Sequence, residues 1–283
     1  MNRQKHYRAC HLCEAICGVV IETENGKIMS IKGDKNDPLS RGHICPKAVA
    51  LKDIHEDPDR LRAPVKKITA PGGETHWEEI SWEEALDTTA RRLVDVRNEH
   101  GVHAVGAYFG NPSVHNYGML THQSQLMRHF RTNNKFSATS VDQLPHHLAG
   151  LWLFGHKSLL PIPDIDRTEY FLMLGANPVA SNGSIWTVPD VRKRIKALTG
   201  RGGKLVVVDP RFTETAQLAS EHHYITPGSD ALFLLAILNT IFQEGLADPR
   251  DLAAFTDGLD VVAAAIAEFT AEFAETHTGI SAG

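Results

Sequence analysis

The sequence lacks any apolar run long enough to cross a bilayer. Its longest apolar runs, residues 231–238 and 261–267, fall far short of the roughly 20 residues that a spanning helix needs. It also lacks an excess of positive charge, since 29 basic residues face 34 acidic ones, and this argues against a nucleic-acid partner. Residues 1–9 contain neither an apolar signal core nor a twin-arginine pair. We therefore expect a globular protein of the cytoplasm.

Cysteine is scarce, and its placement is the most informative feature of the chain. The four cysteines are Cys10, Cys13, Cys17 and Cys45, all near the start of a chain of 283 residues. Three thiolates within eight residues can surround one side of a small metal cluster. Asn25-Gly26 predicts a tight hairpin that returns the chain to the fourth cysteine, which a proline follows. This pattern predicts a [4Fe–4S] cluster.

Two alternatives use the same four cysteines. A pair of disulfides would suit a secreted protein, and the N-terminus does not resemble a secretory signal. A structural zinc site with four cysteine ligands usually combines two Cys-x2-Cys pairs, whereas the second half of this pattern has a single cysteine. Both alternatives remain open on the sequence, and both are less favoured than the cluster.

After the cysteine-rich segment the chain changes character near residue 60. Residues 60–76 contain Pro64, Pro71 and Gly72-Gly73 and predict an extended linker with a turn. Ser81 to Glu84 forms a capping box, which predicts a helix to about residue 99 with Trp82 and Leu86 on its apolar face. A strand is expected at 103–109. It is followed by a helix over 114–130, an irregular segment at 133–143 and a helix over 144–154.

From residue 169 onward, strands and helices alternate. Apolar runs at 170–174 and 204–208 predict strands that are buried on both faces, and a short strand is expected at 223–226. Helices are expected over 189–198 and 229–243. This order predicts a doubly wound α/β region with a parallel sheet, which follows a small β-rich domain. We expect three parts: 1–60 for the cluster, 61–168 as the first part of a mixed α/β domain, and 169–283 as a Rossmann-like region.

Three loops follow the predicted strands of this last region. They contain Gly-Ala-Asn-Pro at 175–178, Asp-Pro-Arg at 209–211 and Pro-Gly-Ser-Asp at 227–230. The carboxyl ends of parallel strands are where such sheets bind ligands. Glycine lets the backbone approach a phosphate, and a carboxylate can bind ribose or guanine N–H groups. Each loop alone could be an ordinary turn, but together they favour a nucleotide-bearing cofactor.

Taken together, these motifs resemble those of the molybdopterin oxidoreductase superfamily. The resemblance rests on the Cys-x2-Cys-x3-Cys-x27-Cys spacing, Cys-Pro-Lys at 45–47 and the three loops, with Val-Asp-Pro-Arg at 208–211. The formate dehydrogenase and cytoplasmic nitrate reductase branches share the N-terminal spacing. The resemblance implies a molybdenum or tungsten ion held by two molybdopterin guanine dinucleotides, with a [4Fe–4S] cluster relaying electrons.

The resemblance also implies roles for individual residues. Lys47 would lie between the cluster and the pterin, the alternative being a solvated surface lysine. The metal ligand would come from residues 137–147, which contain no cysteine; Asp142 is the first candidate, because a hard carboxylate suits high-valent molybdenum, and Ser140 is the second. The third possibility is that no side chain there binds the metal. The residues implied to surround one guanine dinucleotide are Gly175, Asn177, Asp209, Arg211, Gly228 and Asp230.

The expected function is a two-electron oxidation or reduction of a small substrate at the metal, with a redox partner protein or subunit receiving or supplying the electrons. The alternative is a truncated or split-subunit electron-transfer module without a competent metal site. Family members are usually far longer, and residues 76–168 predict only one clear strand, too few for a sheet. We therefore expect this chain to be the N-terminal portion of a longer enzyme whose C-terminal part is a separate or missing partner.

Overall fold

The computed structural model describes residues 2–183 and 186–283, except for the side chains of residues 111 and 112. The chain forms two compact units, Met1–Pro161 and Ile162–Gly283. Within the described ranges, no helix is both long enough and apolar enough to span a membrane.

The first unit begins with three antiparallel strands in sequence order: β1 (Arg3–Ala9), β2 (Gly18–Glu24) and β3 (Lys27–Gly33). The predicted hairpin is confirmed, because Asn25 and Gly26 both have positive φ between β2 and β3. β1 was not predicted, since its sequence is polar and six of its seven residues are exposed. Helices α1 (Pro46–Val49) and α2 (Leu51–Glu56) follow. Ala15, Val19, Ile31 and Ala48 form a small core together with two of the cysteines.

The segment predicted to be a linker contains a hairpin instead. Strands β4 (Val65–Thr69) and β5 (Thr75–Glu79) pair antiparallel. The linker prediction was therefore wrong for this part of the chain. No periodicity marks this hairpin, because every residue of β5 is exposed and no alternation of apolar and polar residues is needed.

The remainder of the first unit is mostly helical, with α3 (Trp82–His100), β6 (Ala107–Phe109), α4 (Tyr117–Phe130), β7 (Lys135–Ser137) and α5 (Leu144–Phe154). The predicted cap of α3 is confirmed, since Ser81 Oγ accepts a hydrogen bond from the backbone N–H of Glu84 at 3.1 Å. The Glu84 carboxylate binds Lys66 Nζ instead of completing the capping box. The start of the predicted apolar face of α3 is exposed, with Trp82 at 66% and Leu86 at 64%, whereas Leu93 further along packs against the core formed by Val105, Met127 and Phe130.

Strands β6 and β7 form a parallel pair in which Phe109 lies opposite Ser137. The expectation of one strand between residues 76 and 168 was therefore wrong, because β7 lies inside the segment predicted to be irregular. A strand of three residues is too short to produce a recognisable hydrophobic period.

The second unit contains a parallel sheet with the order β10-β9-β8, formed by β8 (Tyr170–Leu174), β9 (Lys204–Val208) and β10 (Glu221–His223). The helices of this unit are α6 (Pro178–Ser181), α7 (Val191–Gly200), α8 (Asp230–Gln243), α9 (Leu259–Ala265) and α10 (Ala271–Thr278). β9 is the central strand, and its residues 205–208 are buried as predicted. β8 is an edge strand with Tyr170 59% exposed, so the prediction that it is buried on both faces was wrong. The α/β fold class, with a β-rich region before the parallel sheet, is confirmed.

Candidate functional site

The four cysteines are carried by short segments around the N-terminal sheet. Cys10 directly follows β1, Cys17 directly precedes β2, and Cys45 precedes the first residue of α1. The backbone N–H of Cys10 donates to the backbone oxygen of Cys17 at 2.8 Å, which closes the loop that contains Cys13. All four thiols are free, so the disulfide alternative was wrong.

The thiols influence one another electrostatically. Burial, together with the neighbouring Cys10, Cys13 and Cys45, raises the pKa of the Cys17 thiol to about 11. Burial also raises the pKa of Cys10, while a backbone hydrogen bond and the Lys47 ammonium act in the opposite direction. Four thiolates gathered in this way repel one another unless a positively charged group lies between them. The donor set therefore fits an iron–sulfur cluster, which supplies that charge.

A single metal ion fits this arrangement less well. Among the residues that the structure describes, no three His, Cys, Asp or Glu side chains converge closely enough to hold one ion. A tetrahedral zinc site would require its four sulfur atoms at about 2.3 Å from a common centre. Four thiols that interact electrostatically but do not converge on one point fit the larger core of an iron–sulfur cluster better than they fit a single ion.

The loop that returns to Cys45 is held in place by hydrogen bonds. The Asp37 carboxylate accepts hydrogen bonds from the hydroxyl and the backbone N–H of Ser40, and these bonds lower the pKa of Asp37. Ser40 Oγ in turn accepts the backbone N–H of Gly18 at 3.0 Å, so the loop is bound to the start of β2. A Cβ atom at Gly33 would collide with the backbone oxygen of Gly42. The end of β3 and the Cys45 loop can therefore pack this closely only because residue 33 is glycine.

Lys47 and Asp142 occupy the first unit together with the cysteines. Both side chains are exposed, and the ammonium of Lys47 lies near enough to Cys10 to lower its pKa. Gln143, the neighbour of Asp142, donates through Nε2 to Glu14 Oε1 at 3.4 Å. Because Glu14 follows Cys13, this bond connects the loop of Asp142 to the cysteine-rich loop. Ser140, the second candidate ligand, is exposed in a short 3-10 turn before Asp142.

In the second unit, the predicted loops follow the carboxyl ends of the strands. Gly175 comes directly after β8 and Asp209 directly after β9, and the backbone N–H of Gly175 donates to Val208 O at 2.9 Å. Gly175 and Gly228 both have positive φ, and a Cβ atom at either would meet no atom within 4 Å. These glycines leave open space above the backbone, which suits the close approach of a phosphate or a ribose.

The acidic residues of these loops differ in exposure. Asp209 is only 7% exposed, and its Oδ1 accepts the backbone N–H of Arg211 at 2.8 Å. The backbone oxygen of Asp209 accepts a hydrogen bond from His222 Nε2 at 3.2 Å. Asp230 is exposed at the first turn of α8. Asp209 is thus fixed by the sheet edge, whereas Asp230 faces solvent.

Asn177 belongs to a network that the sequence did not reveal. Its Oδ1 accepts the hydroxyl of Thr215 at 2.7 Å, and its Nδ2 donates to Glu214 Oε2 at 2.9 Å. The second bond is the main reason why the pKa of Glu214 is lowered, and the nearby Arg211 adds to it. Thr215 is fully buried. The available signal was the polar run Thr213-Glu214-Thr215 immediately after the 209–211 loop.

Family models match most of the chain. The model described as the molybdopterin oxidoreductase Fe4S4 domain matches residues 4–56, and the model described as molybdopterin oxidoreductase matches residues 60–274. The first match contains all four cysteines, and the second contains Asp142 and the loops of the parallel sheet.

Individual proteins also resemble the chain. Probable oxidoreductase YoaE of Bacillus subtilis is 28% identical over 95% of this chain, and the thiosulfate reductase molybdopterin-containing subunit PhsA of Salmonella typhimurium is 27% identical over 96%. The chain spans 38% and 34% of the length of these two relatives. Acetylene hydratase from Pelobacter acetylenicus superposes with a TM-score of 0.78 at 26% identity, over 99% of this chain and 37% of that one.

Proposed function

Because this chain belongs to the molybdopterin oxidoreductase family, we propose that it supplies the cluster site and part of the metal–pterin site of an oxidoreductase that acts on a small substrate. The observation that carries this proposal is the set of four free, mutually interacting thiols, followed by a parallel sheet with open glycines at its carboxyl edge. Its family cofactors are a [4Fe–4S] cluster and a molybdopterin with molybdenum or tungsten. When bound, these groups supply two-electron chemistry at the metal and one-electron transfer at the cluster.

In this proposal the cysteines and Lys47 define the electron-transfer end of the site. Cys10, Cys13, Cys17 and Cys45 bind the cluster; Cys10 and Cys17 are buried, and Cys13 and Cys45 are partly buried. Lys47 contributes a fixed positive charge beside Cys10, which stabilises a site that gains negative charge on reduction. A redox partner protein or subunit would exchange electrons with this end.

Asp142 is proposed as the protein ligand of the metal. It follows β7 at the carboxyl edge of a parallel strand pair, which is where such folds bind ligands. Its exposed carboxylate offers a hard oxygen donor, and the Gln143–Glu14 bond holds its loop beside the cysteine-rich loop.

The second unit is proposed to hold one guanine dinucleotide. Gly175 and Gly228 would let the backbone approach the phosphates, while Asp209 and Asp230 would accept N–H or O–H groups. Asn177 and Arg211 flank the same edge, and the Thr215 bond fixes the orientation of Asn177.

The substrate is not given by the relatives. Their names refer to thiosulfate and to acetylene, which are chemically unlike, and the chain covers little more than a third of either protein. The proposal is therefore limited to a small-molecule substrate.

Replacing Asp230 by Ala tests the nucleotide part of the proposal. The change should lower the guanine dinucleotide content of the purified protein and leave its iron content unchanged, because the cysteines lie in the other unit. Equal loss of nucleotide and iron would indicate a folding defect and contradict a local role for Asp230. Asp257→Ala provides a control with an exposed carboxylate outside the three loops.

Replacing Asp142 by Ala tests the proposed metal ligand. X-ray absorption at the metal edge should lose one oxygen scatterer, because alanine offers no donor. Ser140→Ala, which removes the neighbouring exposed hydroxyl, should leave the spectrum unchanged. An unchanged spectrum for Asp142→Ala together with a changed one for Ser140→Ala would transfer the role to Ser140.

A further inference from the structure

One carboxylate on the N-terminal sheet has three positively charged neighbours. The carboxylate of Glu22 lies 3.6 Å from the guanidinium of Arg3 and 3.8 Å from the ammonium groups of Lys5 and Lys32. Ser30 Oγ donates a hydrogen bond to Glu22 Oε2 at 3.0 Å, and this bond is the main reason why the pKa of Glu22 is lowered. We call Arg3, Lys5 and Lys32, gathered around Glu22, the cationic patch. It holds three positive charges and one negative charge, so two positive charges are left in excess.

The pairing of the strands explains why these side chains meet on the outer face of the sheet. Lys5 lies opposite Glu22 across β1 and β2, and Glu22 lies opposite Ser30 across β2 and β3. Val19 and Ile31 belong to the buried core that includes two of the cysteines. Because successive residues of a strand point to opposite faces, Glu22 and its neighbours face away from that core.

The positive charges of the patch are presented to solvent. The side chains of Arg3, Lys5 and Lys32 are 60%, 61% and 69% exposed, whereas that of Glu22 is 16% exposed. An ammonium group has three N–H donors, so a contact with one carboxylate does not use all of them. Glu24 and Lys27, which pair at the end of the hairpin, offset each other in charge. The outer face of the sheet is therefore positive, although the chain as a whole has a net charge of −5.

The layout of the patch favours an acidic protein over a small anion. A small anion would have to displace Glu22 from the centre of the three cations, whereas acidic side chains of a protein can bind the outward sides of these cations. An interface of ordinary size covers about 800 Å² on each partner, which is roughly 30 Å across. Glu22 and Gly18, the residue after Cys17, are separated by four steps along β2, or about 14 Å. A protein centred on the patch therefore reaches the end of the sheet that carries the cysteines.

We propose that the cationic patch is the docking surface of an acidic electron-carrier protein, which exchanges electrons with the cluster held by the four cysteines. This inference rests on the proposed function and adds to it the location and the charge of the surface that the redox partner contacts. The reaction is the transfer of one electron between the carrier and the cluster, in which one is oxidised and the other reduced, and no bond forms or breaks. Opposite charges raise the rate at which the two proteins meet, and salt screens this attraction.

The test measures how fast an acidic carrier reduces the oxidised cluster of the purified protein. The probe is fully reduced flavodoxin, an acidic protein whose flavin gives up one electron. Anaerobic stopped-flow absorbance gives the second-order rate constant. Lys5→Gln and Lys32→Gln should each lower this constant about threefold at low salt, and the double variant about tenfold, because each removes a charge that steers the encounter. At high salt these differences should disappear.

Glu22→Gln should have the opposite effect. It removes the negative charge from the patch, so the rate constant should rise about twofold at low salt. A network of ion pairs with only a structural role would not behave in this way, because Glu22→Gln and the lysine variants break the same pairs. The controls are Lys66→Gln and Lys204→Gln, which lie outside the patch and pair with Glu84 at 3.1 Å and Glu221 at 3.0 Å. Both controls should match the unaltered protein.

Dithionite separates this inference from the proposed function, because this small reductant needs no docking surface. It should reduce the cluster of every variant alike. If it does so while flavodoxin fails to distinguish the patch variants from the controls, or reacts more slowly with Glu22→Gln, the inference is overturned and the proposed function stands. If dithionite reduces no cluster in the unaltered protein, the proposed function fails and this inference fails with it.

Discussion

Among single residues, Lys47 is the one whose charge we expect to affect reduction of the cluster. It is exposed, and it occupies the short helix that begins after Cys45. Burial raises the pKa of the Cys10 thiol, and the charge of Lys47 opposes this rise. A cation in this position stabilises the reduced cluster relative to the oxidised one, because reduction adds negative charge. Its exposure limits the size of the effect through solvent and salt screening.

Lys47→Ala should therefore make the reduction potential of the cluster more negative, by on the order of tens of millivolts at low salt. Protein film voltammetry or a redox titration followed by electron paramagnetic resonance measures the shift. The matched control is Lys52→Ala, since Lys52 lies on the next helix and pairs with Glu56 at 3.9 Å. Equal reduction potentials for Lys47→Ala and the unaltered protein would show that Lys47 is an ordinary solvated surface residue.

The site residues that were predicted from the sequence have a distinctive spacing or a distinctive position after a strand. The four cysteines have the spacing expected of a cluster site, and the loop residues Gly175 and Asp209 follow strands with strong apolar signals. Thr215 lacks such a signal, because a threonine is common in any polar segment. Only the fold reveals that it is buried against Asn177.

At the scale of elements, the sequence predicted long or strongly apolar segments well and short ones badly. α3, α5, β9 and α8 were found close to their expected positions. β1, β5 and β7 were missed, since the first two are largely exposed and β7 has only three residues. β7 also pairs with β6, from which α4 separates it in the sequence, and local periodicity does not report such a partner.

The close approach of β3 to the Cys45 loop gives a test at this scale. Gly33→Ala should displace residues 42–45, because the new Cβ would collide with the backbone oxygen of Gly42. The iron content per chain should then fall although the chain still folds. Circular dichroism establishes folding, and iron analysis gives the cluster content.

Gly72→Ala is the control for this prediction. Gly72 lies in the turn between β4 and β5, its backbone is outside the left-handed region, and a Cβ atom there would meet nothing within 4 Å. This variant should keep full iron content. If Gly33→Ala retained as much iron as Gly72→Ala, the loop would not depend on the close approach of these two segments.

At the scale of the whole molecule, the chain combines a cysteine-rich domain and a parallel sheet with several large apolar side chains that are exposed. Trp152 on α5 is 76% exposed, and Leu153 beside it is 73% exposed, in addition to Trp82 and Leu86 on α3. Large contiguous apolar surfaces are uncommon on isolated globular proteins and mark sites of contact. The chain also spans only 38% and 34% of two relatives that it matches over nearly its full length. The exposed apolar side chains of α3 and α5 are therefore candidate contact residues.

The proposed electron path depends on a [4Fe–4S] cluster held by Cys10, Cys13, Cys17 and Cys45. The most direct measurement is iron, acid-labile sulfide and zinc analysis of the anaerobically purified chain, alongside a Cys45→Ser variant. We expect about four iron and about four sulfide per chain, and a clear loss of both in Cys45→Ser. One tightly bound zinc per chain with no sulfide would contradict it.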